Sequence, residues 1–149
     1  MEIHPPILVI EDDPIIARSL SRALQVIGRR SELVSSCAEV SRLVGRYSGA
    51  IIDLHLPDGN GLAAFRQLAE RGLIASAVFF SATTDEEEVR QARALGVYVP
   101  KASGVFAAVS ALLQTQARKS DPPESETRAS TPRLPAVESA PRDSSRLKK

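Results

Sequence analysis

The chain has 149 residues, enough for one hydrophobic core and something extra but not for two cores. Nineteen basic residues against eighteen acidic ones leave a formal charge of +1, without the broad basic field that would announce nucleic acid, so no direct nucleic-acid binding is expected. Cys37 is the only cysteine, which excludes an internal disulfide and a multi-cysteine metal site and fits a reducing compartment.

The opening residues, Met1 to Pro6, lack a basic region followed by an apolar core, and no apolar run approaches membrane-spanning length. The expected address is therefore the cytoplasm, with no membrane contact. The first strand-like run, Ile7 to Ile10, ends in Glu11-Asp12-Asp13-Pro14. Asp13 before Pro14 reads as a helix N-cap with proline in the first turn, and Ile16, Leu20, Ala23, Leu24 and Ile27 then share one face until Gly28. A second run, Glu32 to Val34, precedes Ser36-Cys37-Ala38-Glu39, which has capping-box spacing and leads into Val40, Leu43 and Val44.

The third run, Ala50 to Asp53, opens into a turn-rich stretch from Leu54 to Gly61, followed by a helix from Leu62 to Arg71 that stops at Gly72. A fourth run, Ala77 to Phe80, leads to Asp85-Glu86-Glu87-Glu88, acids suited to the first turn of a fourth helix that closes at Gly96. The fifth run, Val97 to Val99, precedes a helix from about Gly104 to Arg118. Alternating strands and helices of this kind build a parallel sheet covered on both faces.

Composition changes at Lys119. From there to Lys149 lie five of the ten prolines with many Ser, Thr and charged residues, too little apolar surface to offset the entropy of ordering. The expected organisation is a folded domain over 1–118 and a disordered tail over 119–149.

In an open parallel sheet, ligands bind beyond the carboxyl ends of the strands. Polar groups gather there: Glu11 and Asp12 after the first strand, Asp53 closing the third, Ser81 after the fourth and Lys101 after the fifth. Together they form a kit for phosphoryl transfer. Asp53 can act as a nucleophile through its carboxylate, forming an acyl phosphate. A divalent cation is needed to bring a phosphoryl dianion to an anionic oxygen, and Mg²⁺ suits an oxygen-only site. Asp12 and Asp53 are the expected direct ligands, with Glu11 acting mainly through water. Lys101 offers a point charge and Ser81 a hydroxyl to the phosphoryl oxygens.

These motifs, in this order, resemble the response-regulator receiver domain of two-component signalling over about residues 5 to 118. The matching segments are Ile7 to Asp13, Ile51 to Gly61, Phe80-Ser81-Ala82 and Tyr98-Val99-Pro100-Lys101. The resemblance implies a flavodoxin-like, doubly wound five-stranded parallel sheet of order 2-1-3-4-5 with helices on both faces. It also implies that Asp53 takes a phosphoryl group from the phosphohistidine of a sensor histidine kinase or a histidine phosphotransfer protein, with Mg²⁺ as cofactor. Glu11 and Asp12 become the acidic pair, the backbone carbonyl of His55 a further metal ligand, Ser81 the switch hydroxyl, Tyr98 the switch aromatic and Lys101 the conserved lysine of the family. Such a protein is no enzyme in the ordinary sense. It catalyses only its own phosphorylation and dephosphorylation, and signals through altered contacts with a downstream protein.

Two positions depart from the pattern. The family usually has proline directly after the lysine, in a cis peptide, whereas Ala102 follows Lys101; a cis bond without proline costs about 3–4 kcal/mol. Ser81 stands where threonine is commoner, keeping the donor and losing a methyl.

Other residues have plainer readings. Asp13 is expected to cap a helix, Asp58 to serve a turn, His4 to be solvated, Cys37 to sit in the first turn of its helix, and His55 to have no role beyond its carbonyl. Tyr98 divides evenly between packing and switching. Val105, Phe106, Val109, Leu112 and Leu113 give the fifth helix a wide apolar stripe, which suggests a homodimer through the face of the fourth helix, fifth strand and fifth helix. Nothing after Arg118 reads as an output domain, so a stand-alone receiver is expected.

Three other classes share parts of this pattern. A phosphatase of the haloacid dehalogenase kind wants a second acid two residues past the nucleophile, where His55 stands. An FMN binder needs a Ser, Thr and Gly loop after the first strand, where Glu11 and Asp12 would repel phosphate. A receiver-fold interaction module that is never phosphorylated is the alternative that stays open.

Overall fold

A computed structural model describes residues 4–120 of the chain. Five strands form one parallel sheet: β1 (Ile7–Ile10), β2 (Ser31–Val34), β3 (Gly49–Ile52), β4 (Ala77–Ser81) and β5 (Val97–Pro100), in the order β2-β1-β3-β4-β5. This is the flavodoxin-like order expected from the resemblance. Five α-helices intervene or follow: α1 (Pro14–Val26), α2 (Cys37–Ser41), α3 (Gly61–Glu70), α4 (Glu86–Leu95) and α5 (Val105–Ser120). The compact unit ends at Ala117. The expected tail, 119–149, falls outside the described residues except for its first two, which continue α5.

The three central strands, β1, β3 and β4, are apolar runs because both faces of the sheet are covered there, and alternate side chains serve opposite layers. Leu8, Ile10, Ala50, Ile52 and Phe79 pack with Val40, Leu62, Phe65, Leu68 and Ala92, the layer of α2, α3 and α4. Ile7, Val9, Ile51, Val78 and Phe80 pack with Leu20, Leu24, Ala108 and Leu112, the layer of α1 and α5. Phe79 meets Phe65 edge-on, with ring centroids 5.7 Å apart. Fully burying a side chain of this size is worth about 1.5–3 kcal/mol, so β1, β3 and β4 are anchored at every residue.

The helix starts follow their local chemistry. Asp13 caps α1, its Oδ1 accepting the Ile15 N–H at 2.9 Å. At α2, Ser36 Oγ accepts the Glu39 N–H at 3.2 Å, but the Glu39 carboxylate returns to the Ser35 N–H, so the capping box closes one residue earlier than its sequence spacing implies. The helix also stops at Ser41. Leu43 is buried beyond it and Val44 is 88% exposed, so the stripe expected to run through Val44 does not form.

Asp58 is more than a turn residue. Its carboxylate accepts the Cys37 N–H at 2.8 Å and the Ala38 N–H at 3.0 Å, supplying from a distant loop the acceptors that the first turn of α2 needs. The loop itself closes into a small antiparallel hairpin, His55–Leu56 with Gly59–Asn60, which the turn-rich sequence did not signal. Asn60 then caps α3 by accepting the Ala63 N–H at 2.9 Å. Gly61 begins that helix tight against β3, where a Cβ would collide with the Asp53 carbonyl oxygen.

Candidate functional site

Parallel register decides which side chains share an edge. Ile10 pairs with both Val34 and Ile52, so the residues following β1 and β3 emerge side by side. The ladder continues one step further: the Glu11 N–H donates to Val34 O at 3.0 Å and the Asp53 N–H to Ile10 O at 2.9 Å. Both acids are thereby held by backbone and are almost wholly buried, Glu11 at 3% and Asp53 at 6% exposure, while Asp12 lies exposed beside them. One carboxylate oxygen from each of Glu11, Asp12 and Asp53 lies within 4.8 Å of the others.

Lys101 closes the cluster. Its Nζ donates to Asp53 Oδ2 at 3.0 Å and stands 3.1 Å from Glu11 Oε1. Ala102 does not displace it. Lys101–Ser103 forms a single 3₁₀ turn, no cis peptide occurs among the described residues, and the chain leaves through Gly104 at φ +96°. Burial works against the Lys101 ammonium, but hydrogen bonds to Asp53 and Glu11 outweigh it and hold its pKa above the usual lysine value. Burial has the opposite effect on Glu11, pushing its pKa up to about 6, aided by the Asp53 charge and resisted by bonds from the Asp13 N–H and Lys101.

The balance of charge is therefore uneven: three carboxylates face one ammonium. Oxygen donors alone, closely set and in excess of their counter-charge, fit a hard divalent cation such as Mg²⁺. Asp53 keeps its second oxygen occupied locally, with Oδ1 accepting the His55 N–H at 3.2 Å.

Ser81, the last residue of β4, is buried at the same edge, paired with Pro100 of β5. Its hydroxyl has no hydrogen-bond partner among the described residues, a condition that costs about 1–3 kcal/mol when a buried polar group is left unmet. Tyr98 is half-buried. Its hydroxyl donates to Ser81 O at 3.1 Å and lies 3.5 Å from Thr83 O, while the Arg93 guanidinium sits 5.9 Å from the ring centroid. Burial raises the Tyr98 phenol, with the Arg93 charge opposing.

One reading needs correction. His55 is not idle beyond its backbone, because its ring Nε2 lies 2.9 Å from Glu88 Oε1, whose oxygen also receives the Thr83 hydroxyl. Local spacing offers no signal for a pair separated by 33 residues. The apolar stripe on α5 is mostly consumed by the sheet: Val109 and Leu112 are buried, Val105 and Leu113 half-buried, and only Phe106 stands out at 70% exposure. Phe106 and the partly exposed Val105 and Leu113 are what the stripe leaves uncovered.

The sequence profile of the response regulator receiver domain matches residues 7–103. The chain belongs to this family. Among solved structures, the receiver domain of the Francisella response regulator 1452 superposes with a TM-score of 0.68 at 18% identity, covering 78% of this chain and 99% of that one. A sensor protein of Polaromonas sp. JS666 is 30% identical over 78% of this chain and 98% of its own, with a TM-score of 0.65. The beryllofluoride-activated receiver domain of DrrB, a Thermotoga maritima response regulator, gives 0.65 at 22% identity, covering 75% of this chain and 99% of that one. No curated protein sequence matches the chain. Receiver domains are signalling phosphoacceptors that work with histidine kinases or phosphotransfer proteins, and they generally bind Mg²⁺ at an acidic cluster. No helix among the described residues is long and apolar enough to cross a membrane.

Proposed function

We propose that Asp53 is the phosphoacceptor and that Asp12, Asp53 and the His55 carbonyl hold Mg²⁺, with Glu11 reaching it through water. The observation that carries this reading is the joint placement of three carboxylates within 4.8 Å and the Lys101 ammonium 3.0 Å from Asp53. When bound, Mg²⁺ offsets the negative charge shared by the acids and the incoming phosphoryl group. A carboxylate oxygen of Asp53 forms the new O–P bond as the N–P bond of the donor phosphohistidine breaks. The donor imidazole leaves with the electron pair and takes a proton from solvent. Lys101 exchanges part of its contact with Asp53 for a phosphoryl oxygen. The unpartnered Ser81 hydroxyl supplies a donor to another.

The modification adds about −1.5 to −2 charges. As Ser81 shifts toward them, Tyr98 loses the carbonyl position to which its hydroxyl is bound, and it moves inward. The surface of α4, β5 and α5 is repacked and a downstream protein reads the change. Residues 1–118 carry this chemistry in the cytoplasm, and 119–149 serve as a tail outside it. The missing proline after Lys101 would favour a module that is never phosphorylated if it displaced the lysine, but Lys101 reaches both buried acids without it.

Incubation with Mg²⁺ and acetyl phosphate, followed by intact-mass measurement, tests the reading. The expected result is one added phosphoryl group, lost in Asp53→Asn and in the absence of Mg²⁺. A parent protein that stays unmodified with this donor and with a phosphorylated histidine kinase would overturn it.

A further inference from the structure

Glu88, in the first turn of α4, is held to two loops by bonds that the phosphoryl-transfer chemistry does not use. Its carboxylate lies 2.9 and 3.1 Å from His55 Nε2 and accepts the Thr83 hydroxyl. An ionised carboxylate only accepts, so the His55 ring carries a proton on Nε2 in this arrangement. The Thr83 oxygen in turn accepts the Asp85 N–H at 3.1 Å, and Asp85 Oδ1 caps the helix at Glu87 N and Glu88 N. The start of α4 is thus enclosed in a ring of bonds, a connected arrangement in which each member orients the next.

Both ends of that ring are fastened beside the reacting groups. His55 lies two residues after Asp53 and gives its backbone N–H to Asp53 Oδ1 at 3.2 Å. Thr83 lies two residues after Ser81, the hydroxyl expected to move. Glu86 and Glu87 already place negative charge at the helix start, so dipole compensation alone does not explain why Glu88 reaches across to another loop. The His55 side chain is 58% exposed, which keeps the contact in the weak range of surface pairs. Such a bond is made and broken by small movements of its anchors.

We infer that Glu88 is a positioning residue that ties the first turn of α4 to both phosphorylation loops, so that the state of Asp53 reaches α4 through His55 and Thr83 as well as through Tyr98. This rests on the phosphoacceptor reading of Asp53. Amide hydrogen exchange over residues 84–90 of the full chain, with and without Mg²⁺ and beryllofluoride, tests it. In the parent, beryllofluoride changes exchange in that segment by about three- to fivefold, the range of one exposed charged contact. Glu88→Ala binds beryllofluoride with the parent's affinity yet shows less than about a twofold change there. Glu88→Gln, which keeps an acceptor, restores part of the response. A parent-like response in Glu88→Ala, or a loss of beryllofluoride affinity in that variant, overturns the tie alone. A parent protein that does not bind beryllofluoride overturns the phosphoacceptor reading and the tie together.

Discussion

The two edges of the sheet both gather polar side chains and use them in opposite ways. At the amino edge, Arg29 donates to Gln116 Oε1 at 3.1 Å and to Ser48 Oγ at 2.8 Å, the Ser48 hydroxyl donates to Pro5 O, and Gln116 Nε2 donates to Ser48 O at 2.8 Å. Donors and acceptors meet, and the end of α5 is locked to the starts of β1 and β3. At the carboxyl edge, three carboxylates share one ammonium, and the buried Ser81 hydroxyl finds no partner among the described residues. A polar cluster that stabilises a fold is satisfied. One that awaits a ligand keeps surplus charge and an unmet donor, and part of the stability supplied by the core offsets that cost.

Substitutions at the two edges separate these roles by their dependence on pH, and in one case by sign. The largest effect is expected for Lys101→Met in metal-free buffer: a loss of about 2–3 kcal/mol in urea unfolding at neutral pH, since Asp53 and Glu11 are left buried without their cation. The loss shrinks as pH falls through about 6, where Glu11 takes up a proton and needs the ammonium less. It also shrinks at high pH, because a lysine raised in the fold contributes stability below its unfolded value and loses it as pH rises through the folded one. A constant loss across pH 5 to 8 would contradict the account of Glu11.

Arg29→Ala comes next, with a loss of about 1–2 kcal/mol from the amino-edge network. Its effect is the same from pH 5 to 8 and is unchanged by Mg²⁺, as chemical denaturation with and without the metal will show. The smallest effect has the opposite sign. Glu11→Gln in metal-free buffer gains about 1 kcal/mol at neutral pH, because a carboxyl raised to about 6 is charged there at a cost the amide avoids. The gain fades as pH falls from 6 toward 4.5, where the parent carboxyl is itself protonated. A destabilising Glu11→Gln would mean that the acid serves the fold and not the ligand.

The sheet was legible because its three central strands, β1, β3 and β4, are buried throughout and read as apolar runs, and the parallel register then carried Glu11, Asp12, Asp53, Ser81 and Lys101 to one edge. What escaped was contact between loops. Asp58 capping α2 and Glu88 holding His55 depend on where two distant backbones meet, and neither leaves a periodic or capping signature in the chain. The length of α2 escaped for a related reason: Leu43 is buried beyond the helix, so an apolar residue at helical spacing marked the core without continuing the helix.

A crystal structure of the chain with Mg²⁺ and beryllium fluoride tests the central claim most directly. The account predicts a metal about 2.0–2.1 Å from oxygens of Asp12, Asp53 and the His55 carbonyl, with beryllium on Asp53 and fluorines facing Lys101 and Ser81. Metal bound without Asp53, or beryllium on any other carboxylate, would contradict it.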